Sequence, residues 1–274
     1  MSLRPKEALK VGVAGLGAIG MPVARWLDGG VEGLVLSGIS AGNVERARER
    51  VADFALPPAV MALDELVAAS DVVVECLPPT LFEDVAVPVV EQGKTLIVLT
   101  LTSLLTRLDL VDRARETGAQ LIAATGALLG FDAVRAAAKG EVYSVVMKSR
   151  KPPAGLKKAV FVLEQGIDLD ASDEPVCLYS GSVRDAAAKF PANVNVAVAL
   201  AMAGIGVDRT EYEIWADPGV DRNTHNIVVD ASSTRFEMTI AGVPTEENPA
   251  TGKLTPLSVM ATLERLVAPL TVGT

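Results

Sequence analysis

The chain contains one histidine, His225, and two cysteines, Cys76 and Cys177. An imidazole has an ordinary pKa of about 6.5 and is the side chain naturally suited to proton transfer at neutral pH. His225 is therefore the candidate acid/base; the alternative is a histidine at the start of a strand with no chemical role. The cysteines match no metal-ligand spacing, which excludes a structural zinc site and suits a reducing cytoplasm. Cys76 has no histidine near it in sequence and reads as a small packed residue rather than a nucleophile.

A second constellation is Gly15-Leu16-Gly17-Ala18-Ile19-Gly20, set between a strand-like run at 10–14 and a helical segment at 21–27. Gly15 permits a tight turn, Gly17 lets a pyrophosphate approach the backbone, and Gly20 allows the helix to lie against the strand. The unpaired amides at the helix N-terminus attract the anion. The expected ligand is a dinucleotide, contacted by Gly15, Gly17, Ala18, Ile19 and Gly20. An NAD-selective site usually carries a carboxylate at the end of the second strand, about 20 residues on. Here the stretch reads Gly38-Ile39-Ser40-Ala41-Gly42-Asn43. A carboxylate would repel a 2′-phosphate, so its absence favours NADP over NAD, with Ser40, Asn43 and Arg46 as phosphate ligands. The alternative is that Ser40 only caps a helix and NAD is used.

The elements that must position these groups follow from hydrophobic patterning. Near-continuous apolar runs at 10–14, 34–40, 71–76, 95–100 and 120–124 alternate with helical segments at 21–27, 44–53, 63–69, 81–91 and 108–117. This alternation predicts an α/β fold with a doubly wound parallel sheet, a Rossmann domain over residues 1–127. In such a fold the nicotinamide lies at the C-terminal sheet edge, near Cys76, Leu77 and residues 100–103. From 128 to 250 the pattern changes to a second α/β domain for catalysis and dimerisation. A helix is expected at 132–138 and a strand at 143–149. That strand runs into the basic turn Lys148-Ser149-Arg150-Lys151-Pro152-Pro153. Helices follow at 156–164, 183–190 and 194–203, with strands at 176–179, 212–216, 225–230 and 235–240. The polar–apolar alternation of the last three strands suggests a sheet with one open or interface face. A helix at 254–266, within a C-terminal segment of residues 251–274, is expected to return to the first domain.

Of 274 residues, half are apolar, and 25 Lys+Arg stand against 34 Asp+Glu. The composition supports a sizeable core and excludes disorder as the main state. A pI near 4.8 argues against a nucleic-acid surface. The longest apolar stretch, 194–207, is broken by Asn195 and two glycines and is too short for a span. Residues 1–21 superficially resemble a signal peptide, but the apolar run holds the spaced glycines and no cleavage site. A soluble cytoplasmic protein is expected.

The ordered set of motifs resembles the L-aspartate dehydrogenase family over nearly the whole chain. It comprises the glycine turn, Thr125-Gly126-Ala127, Lys189-Phe190-Pro191-Ala192-Asn193-Val194-Asn195, Ala216-Asp217-Pro218, Arg222-Asn223-Thr224-His225 and Glu247-Asn248-Pro249 with Thr251. Leu99-Thr100-Leu101-Thr102-Ser103-Leu104 departs from the family's usual small-residue segment, and Ala192 stands where a polar or basic residue is common. The resemblance implies NAD(P)-dependent oxidative deamination of L-aspartate through iminoaspartate to oxaloacetate and ammonia, or the reverse, in a homodimer. It places the catalytic histidine on His225 and further cofactor contacts on Ala127 and Asn195. Asn195 is suited to orient a carboxamide, its alternative being a helix N-cap. A dicarboxylate needs cationic or amide partners; candidates are Gly126 and the following amides, Lys189, Asn223 and Thr224, with Arg222 and Lys253 behind them. The residues leave open an imine or 2-oxo-acid reductase acting on another small acidic substrate, and a non-catalytic NADP-binding protein.

Overall fold

The computed structural model describes residues 7–171, 173–248 and 251–273; the basic start of the chain and Pro249 lie outside them. The chain divides into two compact units, Met1–Ala124 with Pro256–Thr271, and Thr125–Thr255 with Val272–Thr274.

The first unit is built on five parallel strands, β1 (Leu9–Ala14), β2 (Leu34–Ser40), β3 (Val72–Glu75), β4 (Thr95–Val98) and β5 (Gln120–Ala123), in the order β2-β1-β3-β4-β5. Helices α1 (Gly20–Asp28), α2 (Val44–Arg50), α3 (Leu63–Ala69), α4 (Phe82–Glu91), α5 (Leu101–Leu105) and α6 (Asp109–Thr117) occur between or beside them. All four residues of β3 are buried, as a strand covered on both faces requires. The strand order reverses between β1 and β3, which makes their C-terminal ends the crevice where ligands bind in doubly wound sheets. The fourth strand stops at Val98, short of the expected 100, because Leu99 and Thr100 turn to meet Glu75 and α5 starts at once.

The second unit contains α7 (Phe131–Ala137), β6 (Val142–Lys151), α8 (Val160–Glu164), β7 (Val176–Ser182), α9 (Val183–Lys189) and α10 (Asn195–Ala203). Strands β8 (Glu211–Ala216), β9 (Thr224–Ala231) and β10 (Arg235–Ala241) complete it. Its sheet has the order β10-β9-β6-β8-β7; β6 pairs parallel with β8, and the remaining pairs are antiparallel. Strict alternation buries Met147, Ser149 and Lys151 of β6, Tyr212, Ile214 and Ala216 of β8, and His225, Ile227 and Val229 of β9. Lys148, Arg150, Thr224 and Asn226 occupy the other face.

One expectation is corrected here. The basic run 148–151 is not a turn but the end of the central strand, which stays paired to Arg150↔Thr224 and Lys151↔Ala216. Its neighbours satisfy its main chain, and Pro152, which lacks an N–H, ends it. Helix α10 is buried along 197–201 and packs with α7 and α9. The chain closes with α11 (Leu254–Val267), whose Val259 and Leu263 join the core of the first unit beside Val11, Val23 and Leu27.

Candidate functional site

In the first unit the glycine turn is built as its chemistry demands. Gly15 has φ +98°, and a Cβ there would meet the Cys76 carbonyl at 2.3 Å. A Cβ on Gly20 would lie 1.8 Å from the Gly15 carbonyl, so close packing of α1 on the turn admits no side chain. Gly17 differs: a Cβ there would touch nothing within 4 Å. Two glycines are thus required by the fold, and the third leaves the turn's outer surface open. Arg50, at the end of α2, donates to the Leu16 carbonyl at 2.6 Å, a basic contact to this turn that sequence reasoning did not single out. These features, with the start of α1, fit a dinucleotide pyrophosphate.

Ser40 ends β2 buried, and its carbonyl accepts from Gly15 N at 2.8 Å. The capping role considered for Ser40 falls instead on Asn43, whose Oδ1 accepts from Arg46 N at 2.9 Å. Ala18 and Ile19 lead into α1.

At the neighbouring strand end Glu75 is fully buried. Its carboxylate accepts from Leu77 N (3.0 Å), Leu99 N (3.2 Å), Thr100 N (2.9 Å) and Thr100 Oγ1 (2.8 Å). One side chain therefore ties the turns after β3 and β4, the edge where the sequence places Cys76 and Leu77. Burial raises the Glu75 pKa against the opposing pull of these donors. Burial and the Glu75 charge push the Cys76 thiol well up, which disfavours a thiolate nucleophile.

In the second unit His225 is 3% exposed and lies opposite Ser149 in the antiparallel β6–β9 pair. Ser149 Oγ is 2.7 Å from His225 Nδ1, and Tyr212 Oη donates to Ser149 Oγ at 2.9 Å. Both hydroxyl residues are completely buried. The hydroxyl chain engages Nδ1 in either neutral tautomer, Ser149 donating to it or accepting from it, and leaves Nε2 as the other ring nitrogen. Lys151, two residues beyond Ser149 on the same face, donates to the Asn193 carbonyl at 2.9 Å. Burial pushes the lysine down to about 8. Burial first, then the Lys151 charge, lowers His225 to about 3 and holds the imidazole neutral.

The structure brings Ser149, Tyr212 and Lys151 to His225, and the sequence marks none of them as a site residue. The available signal was strand parity, with polar residues at i and i+2 on a face otherwise filled by Met147 and Ile227. Thr224 faces away from His225, as adjacent strand residues must. Asn223 precedes the strand, its carbonyl accepting from Gly242 N at 2.8 Å. Lys189 sits over the rings of Tyr179 (4.7 Å) and Phe161 (5.6 Å). Arg222 pairs with Asp221, and Lys253 with Glu246. Gly126 and Ala127 occupy a turn closed by Leu128 N donating to the Thr125 carbonyl at 3.1 Å. Asn195 is the first residue of α10 rather than its cap, which is Val194.

Comparison with known proteins places this geometry. Residues 132–266 match the family model described as aspartate dehydrogenase, C-terminal, and residues 15–124 match the NAD-binding domain of homoserine dehydrogenase. The chain is 47% identical over 266 residues to L-aspartate dehydrogenase of Bradyrhizobium diazoefficiens, covering 97% of this chain and 94% of that protein. It is 47% identical over 270 residues to L-aspartate dehydrogenase 3 of Bordetella bronchiseptica, covering 98% and 99%. The crystal structure of aspartate dehydrogenase from Thermotoga maritima shares the fold with a TM-score of 0.72 at 20% identity, over 97% of this chain and all of that one. With a dinucleotide turn in one unit and a single buried histidine in the other, this chain belongs to the L-aspartate dehydrogenase family.

Proposed function

We propose that the protein is an NAD(P)-dependent L-aspartate dehydrogenase, interconverting L-aspartate and water with oxaloacetate and ammonia through iminoaspartate, with His225 as the acid/base. The carrying observation is the lone histidine, buried and held by a two-hydroxyl chain at the position that the family resemblance assigns to proton transfer. Gly15, Gly17, Ala18, Ile19 and Gly20 would hold the pyrophosphate, with Cys76 and Leu77 at the sheet edge and Ala127 and Asn195 as the further cofactor contacts. The bound nicotinamide supplies the hydride acceptor or donor.

The chain's own residues manage protons. In the Nε2–H tautomer the ring is suited to polarise the C2 carbonyl oxygen of oxaloacetate toward attack by ammonia, a role open to a neutral imidazole. In the Nδ1–H tautomer, with Nδ1 donating to Ser149 Oγ, Nε2 is the base that takes a proton from the water attacking the imine in deamination. Asn223, Lys189 and Gly126 with the amides after it remain candidate substrate contacts, on the ground that a dicarboxylate needs cationic or amide partners; Thr224, facing away, is left out. The absence of a carboxylate after β2 favours NADP over NAD, with Ser40, Asn43 and Arg46 near the 2′-position. The half-open outer face of the second sheet, with Tyr143 exposed, supports a homodimer. No helix among the described residues is long and apolar enough to cross a membrane, and we place the enzyme in the cytoplasm.

The test is absorbance at about 340 nm with oxaloacetate and ammonium, using NADH and NADPH separately. Ammonium-dependent loss of signal that disappears in His225→Ala supports the reading, and the two rates rank the cofactors. A folded, nucleotide-binding protein with no turnover overturns it.

A further inference from the structure

Lys151 is 6% exposed, yet it carries an ammonium at the end of the central strand. Its hydrogen bond goes to the uncharged Asn193 carbonyl. Burial alone perturbs it, with no acidic group among the described residues offsetting that effect. The carboxylate next in sequence to its strand partner, Asp217, is committed elsewhere: Oδ2 accepts from Arg150 at 2.8 Å and Oδ1 from Gly219 N at 2.8 Å. The titratable group that senses Lys151 is His225 on β9. Buried cations in proteins are paired, and an apolar side chain of similar length would pack there without desolvating a charge. A retained, unpaired ammonium beside the acid/base is explained by an anion that arrives with the substrate.

We propose that Lys151 is the cationic end of the substrate site and receives a carboxylate of the dicarboxylic amino acid or 2-oxo acid; this rests on the activity proposed above. The site then couples binding to proton transfer. Before substrate arrives, the lysine charge opposes protonation of His225. A carboxylate paired with the ammonium cancels that opposition, so the imidazole regains proton affinity when there is substrate to act on. A monocarboxylic substrate that leaves Lys151 unpaired would leave His225 unprimed.

The experiment uses succinate as an unreactive dicarboxylate probe with the full chain, Lys151→Met and Lys151→Arg, each checked for folding by thermal melting. Calorimetry should show succinate affinity about 10- to 100-fold weaker in Lys151→Met and largely kept in Lys151→Arg. Wild-type affinity should fall as pH rises through about 8, where the lysine loses its charge. Because His225 is the only histidine, its NMR signal reports directly. Saturating succinate at pH 7, where it is a dianion, should shift the His225 ring signal in the wild type. In Lys151→Met the signal should start from a different position and should not respond to succinate. Succinate affinity that is unchanged in folded Lys151→Met, or a wild-type His225 signal unmoved by saturating succinate, overturns the proposal. If the wild type turns over aspartate in that event, the proposed activity stands alone. No aspartate turnover overturns the activity, and this inference with it.

Discussion

Ser149 Oγ and His225 Nδ1 face each other at 2.7 Å across the central strand pair of the second sheet, with Tyr212 Oη behind the serine. The arrangement removes Nδ1 from chemistry and leaves Nε2 as the nitrogen that can meet a substrate. It resembles in logic the orienting partners of catalytic histidines elsewhere, except that the orienting group is a hydroxyl and not a carboxylate. A carboxylate would favour the imidazolium; a hydroxyl chain does not, and the ring stays neutral.

Ser149→Ala should lower kcat about 10- to 100-fold with little change in KM, because the ring loses its orientation while the substrate contacts remain. Tyr212→Phe keeps the Ser149–His225 bond and should cost less. Steady-state kinetics with ¹⁵N NMR of the single imidazole checks both. The wild type should show one dominant tautomer, and Ser149→Ala a mixture.

The buried histidine makes stability depend on pH. Its folded pKa of about 3 lies below the unfolded value of 6.5, so between these limits the unfolded chain holds a proton that the folded chain does not. Stability contributed by this group is complete above about pH 6.5 and falls as pH drops, at about 1.4 kcal/mol per unit. His225→Gln should remove that share. Denaturant melts of the two proteins from pH 7 to 4 should diverge in this direction, the wild type losing more.

Lys151 produces the opposite expectation for its replacement. Its folded pKa of about 8 lies below the ordinary 10.5, so the charged form is penalised in the fold at neutral pH. Lys151→Met should be more stable at pH 7 by about 1–3 kcal/mol, even after losing the bond to the Asn193 carbonyl. The advantage should shrink as pH rises from about 8 toward 10.5, where the wild-type lysine sheds its proton. Chemical denaturation across that range measures it. A variant both more stable and less active would mark a residue kept for function.

The glycine turn separates folding from binding. Gly17→Ala meets open space, so its melting temperature should stay near wild type while dinucleotide affinity drops by about 10-fold or more through obstruction of the pyrophosphate. Gly20→Ala would drive a Cβ into the Gly15 carbonyl and should lose stability and binding together. Thermal melts paired with NADH fluorescence titration distinguish the two.

The sequence by itself determined the first unit's architecture and the identity of its turn. Parallel strands buried on both faces read as apolar runs, and a nucleotide turn is a local, contiguous motif whose glycines answer to short-range sterics. It also singled out His225, since a lone histidine needs no structure to be noticed, and the ordered motifs carried the family. What it misread was the basic run 148–151. Alternating Lys, Ser, Arg and Lys before two prolines look like a solvated turn, because local patterning cannot show that β8 and β9 continue alongside and satisfy that backbone. Once the strand is extended, parity sends Ser149 and Lys151 inward and Lys148 and Arg150 outward. Ser149 lies 63 residues before Tyr212 and 76 before His225, on a different strand from each, and Glu75 finds Leu99 and Thr100 across a sheet edge. Those meetings are set by strand register, a long-range property, and so only the tertiary structure decided which polar residues share the interior with the histidine.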